Sequence, residues 1–144
     1  MSAQIQIQSY INSLAESKRL EMHRLHDSIA ALLPDAQLWF IDGKDETGKI
    51  VCNPNIGYGR QQLHYADGKT KEFYQIGLSA NTTGFSVYIL GLSDKKYLIN
   101  TYAKSLGKAS VTSYCLKFKT VKDIDLEVLK SAILDGVAQT QITP

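Results

Sequence analysis

The stretch Ile56-Gly57-Tyr58-Gly59-Arg60-Gln61-Gln62-Leu63-His64-Tyr65-Ala66-Asp67-Gly68 reads as an extended strand that ends on an Asp-Gly turn. Two glycines at i and i+2 fall on one face of such a strand and leave a bare strip, where a ring, a second backbone or a ligand can come close. Lys71 to Ser79 and Gly84 to Leu90 are two further strand-like runs, set apart by Asp67-Gly68-Lys69 and by Asn81-Thr82-Thr83-Gly84. Together the three predict an antiparallel meander. Tyr74, Ile76 and Leu78 are expected on one face of its middle strand, and Phe85, Val87 and Ile89 on one face of its last.

Upstream, Leu38 to Ile41 is a short apolar run, and the polar turn Asp42 to Gly48 is expected to fold it back onto Lys49 to Cys52 before Asn53-Pro54-Asn55 breaks the chain. Gln8 to Leu14 predicts a short helix with Tyr10, Ile11 and Leu14 on one side. Ser17 is placed to cap a longer helix reaching about Leu33, in which Met22, Leu25, Ile29, Leu32 and Leu33 recur three and four apart. Pro34-Asp35 ends it, since the residue before proline disfavours helical dihedrals.

Downstream, Ser93-Asp94 opens a helix with Leu98, Tyr102 and Leu106 inward, and Gly107 closes it. Thr112 to Phe118 predicts a strand with Tyr114, Leu116 and Phe118 on one side and Cys115 and Lys117 on the other. Asp123-Ile124-Asp125 starts a last helix whose inward stripe is Leu126, Leu129, Ile133 and Val137. This order predicts one α+β domain over residues 1–144, a mostly antiparallel sheet of about five or six strands with helices packed on one face.

A chain of 144 residues that is 44% hydrophobic and 21% charged is long enough for one core and sits in the ordinary globular range. Lys and Arg total 16 against 14 Asp and Glu, with the signs interspersed, so charge gives no reason to expect nucleic acid as a partner. No run approaches the ~18 apolar residues of a spanning helix, and Met1 to Gln8 lacks the basic start and apolar middle of a secretory signal. No membrane association is expected. Cys52 and Cys115 are too few for a disulfide scaffold and too far apart for a C-x-x-C pair, which makes a reducing cytoplasm the expected location. Cys115 is expected to be packed within a strand, and Cys52 to lie in a loop.

Several segments, in order, resemble the YdhG-like domain-of-unknown-function family. Gln8-Ser9-Tyr10-Ile11-Asn12-Ser13-Leu14 is similar to its opening helix, Leu38-Trp39 to its tryptophan-bearing first strand, and Ile56-Gly57-Tyr58-Gly59 with Leu63-His64-Tyr65-Ala66-Asp67-Gly68 to its central glycine-aromatic-glycine strand and turn. Val87-Tyr88-Ile89, Leu106-Gly107-Lys108, Ser113-Tyr114-Cys115-Leu116-Lys117-Phe118-Lys119 and Asp123-Ile124-Asp125-Leu126-Glu127-Val128-Leu129 match later elements, so the likeness spans nearly the whole chain. Between Phe40 and Asn55 this sequence is longer than the family pattern and holds the extra hairpin. The resemblance implies a soluble bacterial α+β protein; some relatives are frataxin-like, and that implies an iron-binding chaperone as the alternative reading.

The residues themselves offer three constellations. His23, His26 and Asp27 stand at i, i+3 and i+4, and His23 and Asp27 share a helical face, but a metal site needs three or four convergent ligands. Lys18, Arg19 and Arg24 interleave with them, so an exposed polar face is expected and no metal. Iron would favour an acidic ridge, and here Glu16, Glu21 and Asp27 are diluted by bases. Lys117, Lys119 and Lys122 with Lys104 and Lys108 read as a solvated rim, with a small phosphate-binding patch near the last strand as the unspecific alternative. Three histidines without a G-x-S-x-G turn supply no nucleophile held beside a base, so no catalytic residue and no cofactor are expected.

The glycine strip remains. Its first reading is packing, with Phe73 or Tyr74 of the neighbouring strand lying over it. Its second is a shallow pocket lined by Trp39, Gly57, Tyr58, Gly59, Arg60 and Tyr74, which would make the domain a non-enzymatic module for a small molecule or a protein.

Overall fold

In the computed structural model, which describes residues 2–140, a long bent hairpin organises an antiparallel sheet. Met1 and residues 141–144 of the expected 1–144 domain lie outside the described residues. The elements run α1 (Ala3–Asn12), α2 (Glu16–Leu32), β1 (Leu38–Ile41), β2 (Asn55–Tyr58), β3 (Gln61–His64), β4 (Thr70–Phe73), β5 (Ile76–Asn81), β6 (Gly84–Ile89), α3 (Tyr97–Leu106), β7 (Ser110–Val111), β8 (Cys115–Phe118) and α4 (Leu126–Thr140). Six strands form one sheet in the order β1-β2-β5-β6-β8-β7, and β3 with β4 forms a separate two-stranded ribbon. The fold is α+β with an antiparallel sheet and helices packed against it, as the sequence predicts.

Register explains which face is buried. Phe40, Ile56, Leu78, Val87, Leu116 and Val111 lie opposite one another in turn, a single apolar row across all six strands. Leu38, Tyr58, Ile76 and Ile89 make the next row, and Ala80, Phe85 and Phe118 a third. α1, α2 and α4 cover these rows. Ile7, Tyr10 and Ile11 of α1, Met22, Leu25 and Ile29 of α2, and Leu129, Ala132 and Ile133 of α4 are buried there, each set at helical spacing. Each large aliphatic buried this way contributes about 1.5–3 kcal/mol.

Several local expectations are corrected. The meander strands Ile56 to Ala66 and Lys71 to Ser79 are each broken, at Gly59-Arg60 and at Tyr74-Gln75, so that β3 and β4 leave the sheet together. Tyr74 consequently does not share a face with Ile76 and Leu78. Lys49 to Cys52 forms no strand; β1 pairs with β2, while Lys44 and Ile50 make only an isolated bridge. The reason is burial: pairing with β2 aligns Leu38 and Phe40 with Tyr58 and Ile56, whereas Ile50 and Val51 stay 72% and 61% exposed. Gly43 permits the loop, because a Cβ there would sit 2.1 Å from the Cys52 carbonyl oxygen.

α1 begins at Ala3 rather than Gln8, since Ser2 caps it by accepting the Ile5 N–H and Ile7 joins Tyr10 and Ile11 on the buried side. α2 starts at Glu16 without a side-chain cap, leaving Ser17 inside its first turn. α3 starts at Tyr97, because Asp94 spends its carboxylate on the Lys96 N–H in a turn ahead of it. At its end Gly107 has φ 113° and ψ −144°, outside the left-handed helical region, and bridges to Ile124. Beyond it the two-residue β7 precedes the expected strand and Tyr114 falls outside β8, stacked on Tyr88 with centroids 6.5 Å apart.

Candidate functional site

On the sheet face away from α1, α2 and α4, Trp39, Gly57, Gly77 and Tyr88 lie opposite one another on β1, β2, β5 and β6. Two paired glycines leave a trough, and the Tyr74 ring fills it. A Cβ on Gly57 would stand 2.3 Å from Tyr74 Cδ2, and one on Gly77 2.7 Å from the Tyr74 hydroxyl oxygen. Phe73 stacks on Tyr74 at 4.2 Å between centroids, Trp39 meets Phe73 edge-on at 5.8 Å, and Lys71 Nζ stands 4.8 Å from the Phe73 centroid. Tyr74 is buried, and burial drives its hydroxyl pKa far up. Over Gly57 the strip is closed by packing.

Gly59 is different. Its φ of +85° turns the chain out of β2, a conformation that L side chains rarely adopt. Its N–H donates to the Gln37 carbonyl at 2.9 Å, and its own carbonyl accepts the Trp39 indole N–H at 2.7 Å. Across the bend Gln75 donates its backbone N–H to Tyr58, accepts the Arg60 N–H at its side-chain oxygen, and donates its side-chain amide to the Val137 carbonyl and Thr140 Oγ1 of α4. Gln61 sends its amide to the carbonyls of Tyr74 and Leu90 at 3.2 and 2.9 Å. These two glutamines are buried, and together they satisfy backbone groups that the broken ladder would otherwise strand. Neither was singled out from sequence. The available signal was a polar residue, Gln75, seated between Tyr74 and Ile76 in an otherwise apolar run.

Beside this bend lies a cleft of about 620 Å³, walled by the Leu33 to Gln37 turn, by Gly59, Arg60 and Gln75, and by Leu134, Val137 and Ala138 of α4. The expected pocket residues therefore separate into three groups. Trp39, Gly57 and Tyr74 belong to the packed strip, Gly59 and Arg60 line the cleft, and Tyr58 points into the helix-covered core. A pocket formed by all six is corrected: alternation turns Tyr58 to the face opposite Gly57, and the bend carries Arg60 away from both.

Tyr58 is fully buried and shares a 2.6 Å hydrogen bond between its hydroxyl and His26 Nδ1. Burial lowers the His26 pKa and raises that of Tyr58 well above its usual value, so a neutral pair bridges α2 and β2. With His26 turned inward, the His23–Asp27 face of α2 lacks it as a third ligand. Among the described residues no group of three or more His, Cys, Asp or Glu side chains is arranged to hold a metal ion.

Arg60 is half exposed, and its Nε stands 3.8 Å from Glu72 Oε1. An exposed pair of this kind is worth little. Away from the cleft, Asp135 accepts the hydroxyls of Tyr97 and Tyr102 and the Gln139 amide; burial pushes its carboxyl up, and those hydrogen bonds outweigh it and hold it below the usual range. This cluster fastens α3 to α4. The five lysines of the expected rim are all exposed. Cys115 is buried and Cys52 exposed, both as free thiols, and burial raises the Cys115 pKa. Among the described residues no helix is long and apolar enough to cross a membrane. No protein-family model matches this chain, and no match was found among curated proteins or solved structures.

Proposed function

We propose that this is a non-enzymatic binding module of the YdhG-like type, an accessory domain of the bacterial cytoplasm, and that its small ligand occupies the cleft beside Gly59 and Arg60. One observation carries the reading: the sheet is bent open at Gly59, and two buried glutamines hold the bend next to a cleft of about 620 Å³. That volume lies within the ~300–1,000 Å³ usual for small-molecule sites, and the walls combine apolar side chains with a few polar groups. Free thiols at Cys52 and Cys115 agree with a reducing compartment.

Thermal-shift screening of the purified protein against metals, nucleotides and small metabolites tests this. Compounds that raise the melting temperature should lose that effect in Ala138→Trp, which fills the cleft from an exposed helical position. Hits that stabilise wild type and Ala138→Trp alike would move the site elsewhere. A rise with ferrous iron alone would favour the frataxin-like iron chaperone, and turnover of any screened compound would end the non-enzymatic reading.

A further inference from the structure

The cleft carries opposite charges that do not meet. Asp35 stands in one wall and Arg60 in another, yet no Lys, Arg or His nitrogen among the described residues lies within 4.0 Å of the Asp35 carboxylate. Among the described residues the Arg60 guanidinium pairs with one carboxylate, that of Glu72, whose Oε1 stands 3.8 Å from Nε, too far for a hydrogen bond. A guanidinium presents its donors as a planar fork suited to two parallel bonds with a carboxylate, and here that fork is unspent. Leu33, Val137 and Leu134 also line the cleft, and Leu134 is 46% exposed on an otherwise well-packed helix.

Charge complementarity then narrows the occupant. A simple carboxylate that satisfied Arg60 would bring its negative charge into the cleft that Asp35 lines, and a simple cation that satisfied Asp35 would face Arg60. Each combination leaves one like-charge conflict. A molecule carrying both an ammonium and a carboxylate on an aliphatic body satisfies both walls and covers the exposed leucine.

Resting on the cleft reading above, we infer that the cleft between Asp35 and Arg60 binds a small aliphatic zwitterion of amino-acid or dipeptide size, its carboxylate on Arg60 and its ammonium on Asp35. Four probes separate the contributions: leucine, leucyl-leucine, 4-methylpentanoate, which lacks the ammonium of leucine, and 3-methylbutylamine, which lacks its carboxylate. Titrated into isotope-labelled protein, leucine or leucyl-leucine should shift the Gly59, Arg60 and Ala138 amide resonances saturably, with each half-charged analogue at least about tenfold weaker. Arg60→Gln should weaken zwitterion binding about tenfold and, by removing the like charge, tighten 3-methylbutylamine; Asp35→Asn should likewise weaken the zwitterion and tighten 4-methylpentanoate. Both positions are exposed, and an unchanged melting temperature confirms that each variant folds.

Equal binding of leucine and 4-methylpentanoate, indifference of the zwitterion to both substitutions, or no saturable shift with any probe would each overturn the inference. The outcomes also separate from failure of the broader reading. A screening hit of another charge type that Ala138→Trp abolishes would sink the zwitterion and keep the cleft, whereas hits indifferent to Ala138→Trp would remove the cleft itself.

Discussion

Gly57 and Gly59 are two residues apart in one short motif and serve opposite ends. At Gly57 the missing side chain admits the Tyr74 ring, which lies across Gly57 and its partner Gly77 and shuts that face. At Gly59 the missing side chain admits a positive φ, which bends the strand away and leaves a cleft. A glycine in a strand therefore signals either close approach or a turned backbone, and spacing alone does not say which. What separates them here is the neighbour across the hairpin: an aromatic faces Gly57, and an amide that can bond stranded backbone groups faces Gly59.

The largest expected effect lies on the closed side. Tyr74→Ala empties the trough over two glycines and should cost about 3–5 kcal/mol in denaturant unfolding. Gly77→Ala should cost about 1–3 kcal/mol by overpacking, and because the three atoms nearest its new Cβ all belong to the far part of the Tyr74 ring, most of that cost should vanish in a Tyr74→Ala background. Gly57→Val should not be rescued in the same way, since a Cβ there also stands 2.8 Å from Tyr74 Cβ, which alanine keeps. Full additivity of Gly77→Ala with Tyr74→Ala would mean that the ring does not occupy the trough.

The bend answers to a smaller and different perturbation. Gly59→Ala and Gly68→Ala place alanine at nearly the same backbone angle, φ +85° and +84°, so both meet the left-handed penalty of about 1–2 kcal/mol. Only at Gly59 does the new Cβ meet anything, the Gln75 side-chain oxygen at 2.2 Å, while Gly68 has nothing within 4 Å. Gly59→Ala should therefore be the more destabilising of the pair in thermal melts, by about 1 kcal/mol for a disturbed amide hydrogen bond, and should alter ligand binding in the cleft. Equal melting temperatures would show that the Gln75 network adjusts freely and does not hold the bend.

Much of the fold was legible because burial enforces period. Met22, Leu25 and Ile29, Phe85, Val87 and Ile89, and Leu129 and Ile133 all announce the faces they bury. The breaks were not legible, because a strand that bends keeps its alternation on both sides: Gln61 to His64 alternates as well as Ile56 to Tyr58 does, yet it belongs to a different sheet. The candidate site was half legible for the same reason. Gly59 and Arg60 stand out as a motif, while Asp35, Gln75 and Leu134 come from three distant segments that only the tertiary packing gathers.

Tyr58, between the two glycines, gives the smallest effect and tests whether bend and strip can be loosened separately. Burial disfavours the charged imidazole of His26, so the folded protein holds that proton less tightly than the unfolded chain, whose value is near 6.5. Between the lowered folded value and about 6.5 the unfolded chain binds more protons, and stability rises with pH through that window. This contribution is complete above about 6.5 and is lost as the solution is acidified below it. A His26→Gln variant should flatten that part of the stability profile measured by denaturant melts at stepped pH. In wild type the same acidification should lower the hydrogen-exchange protection factor, the observed rate corrected for the intrinsic rate at each pH, at Gly59 and Arg60, next to the Tyr58 anchor, more than at Gly77 beneath the Tyr74 ring. An equal loss of protection at all three would tie the two glycines into one cooperative unit and remove the distinction between the closed strip and the open bend.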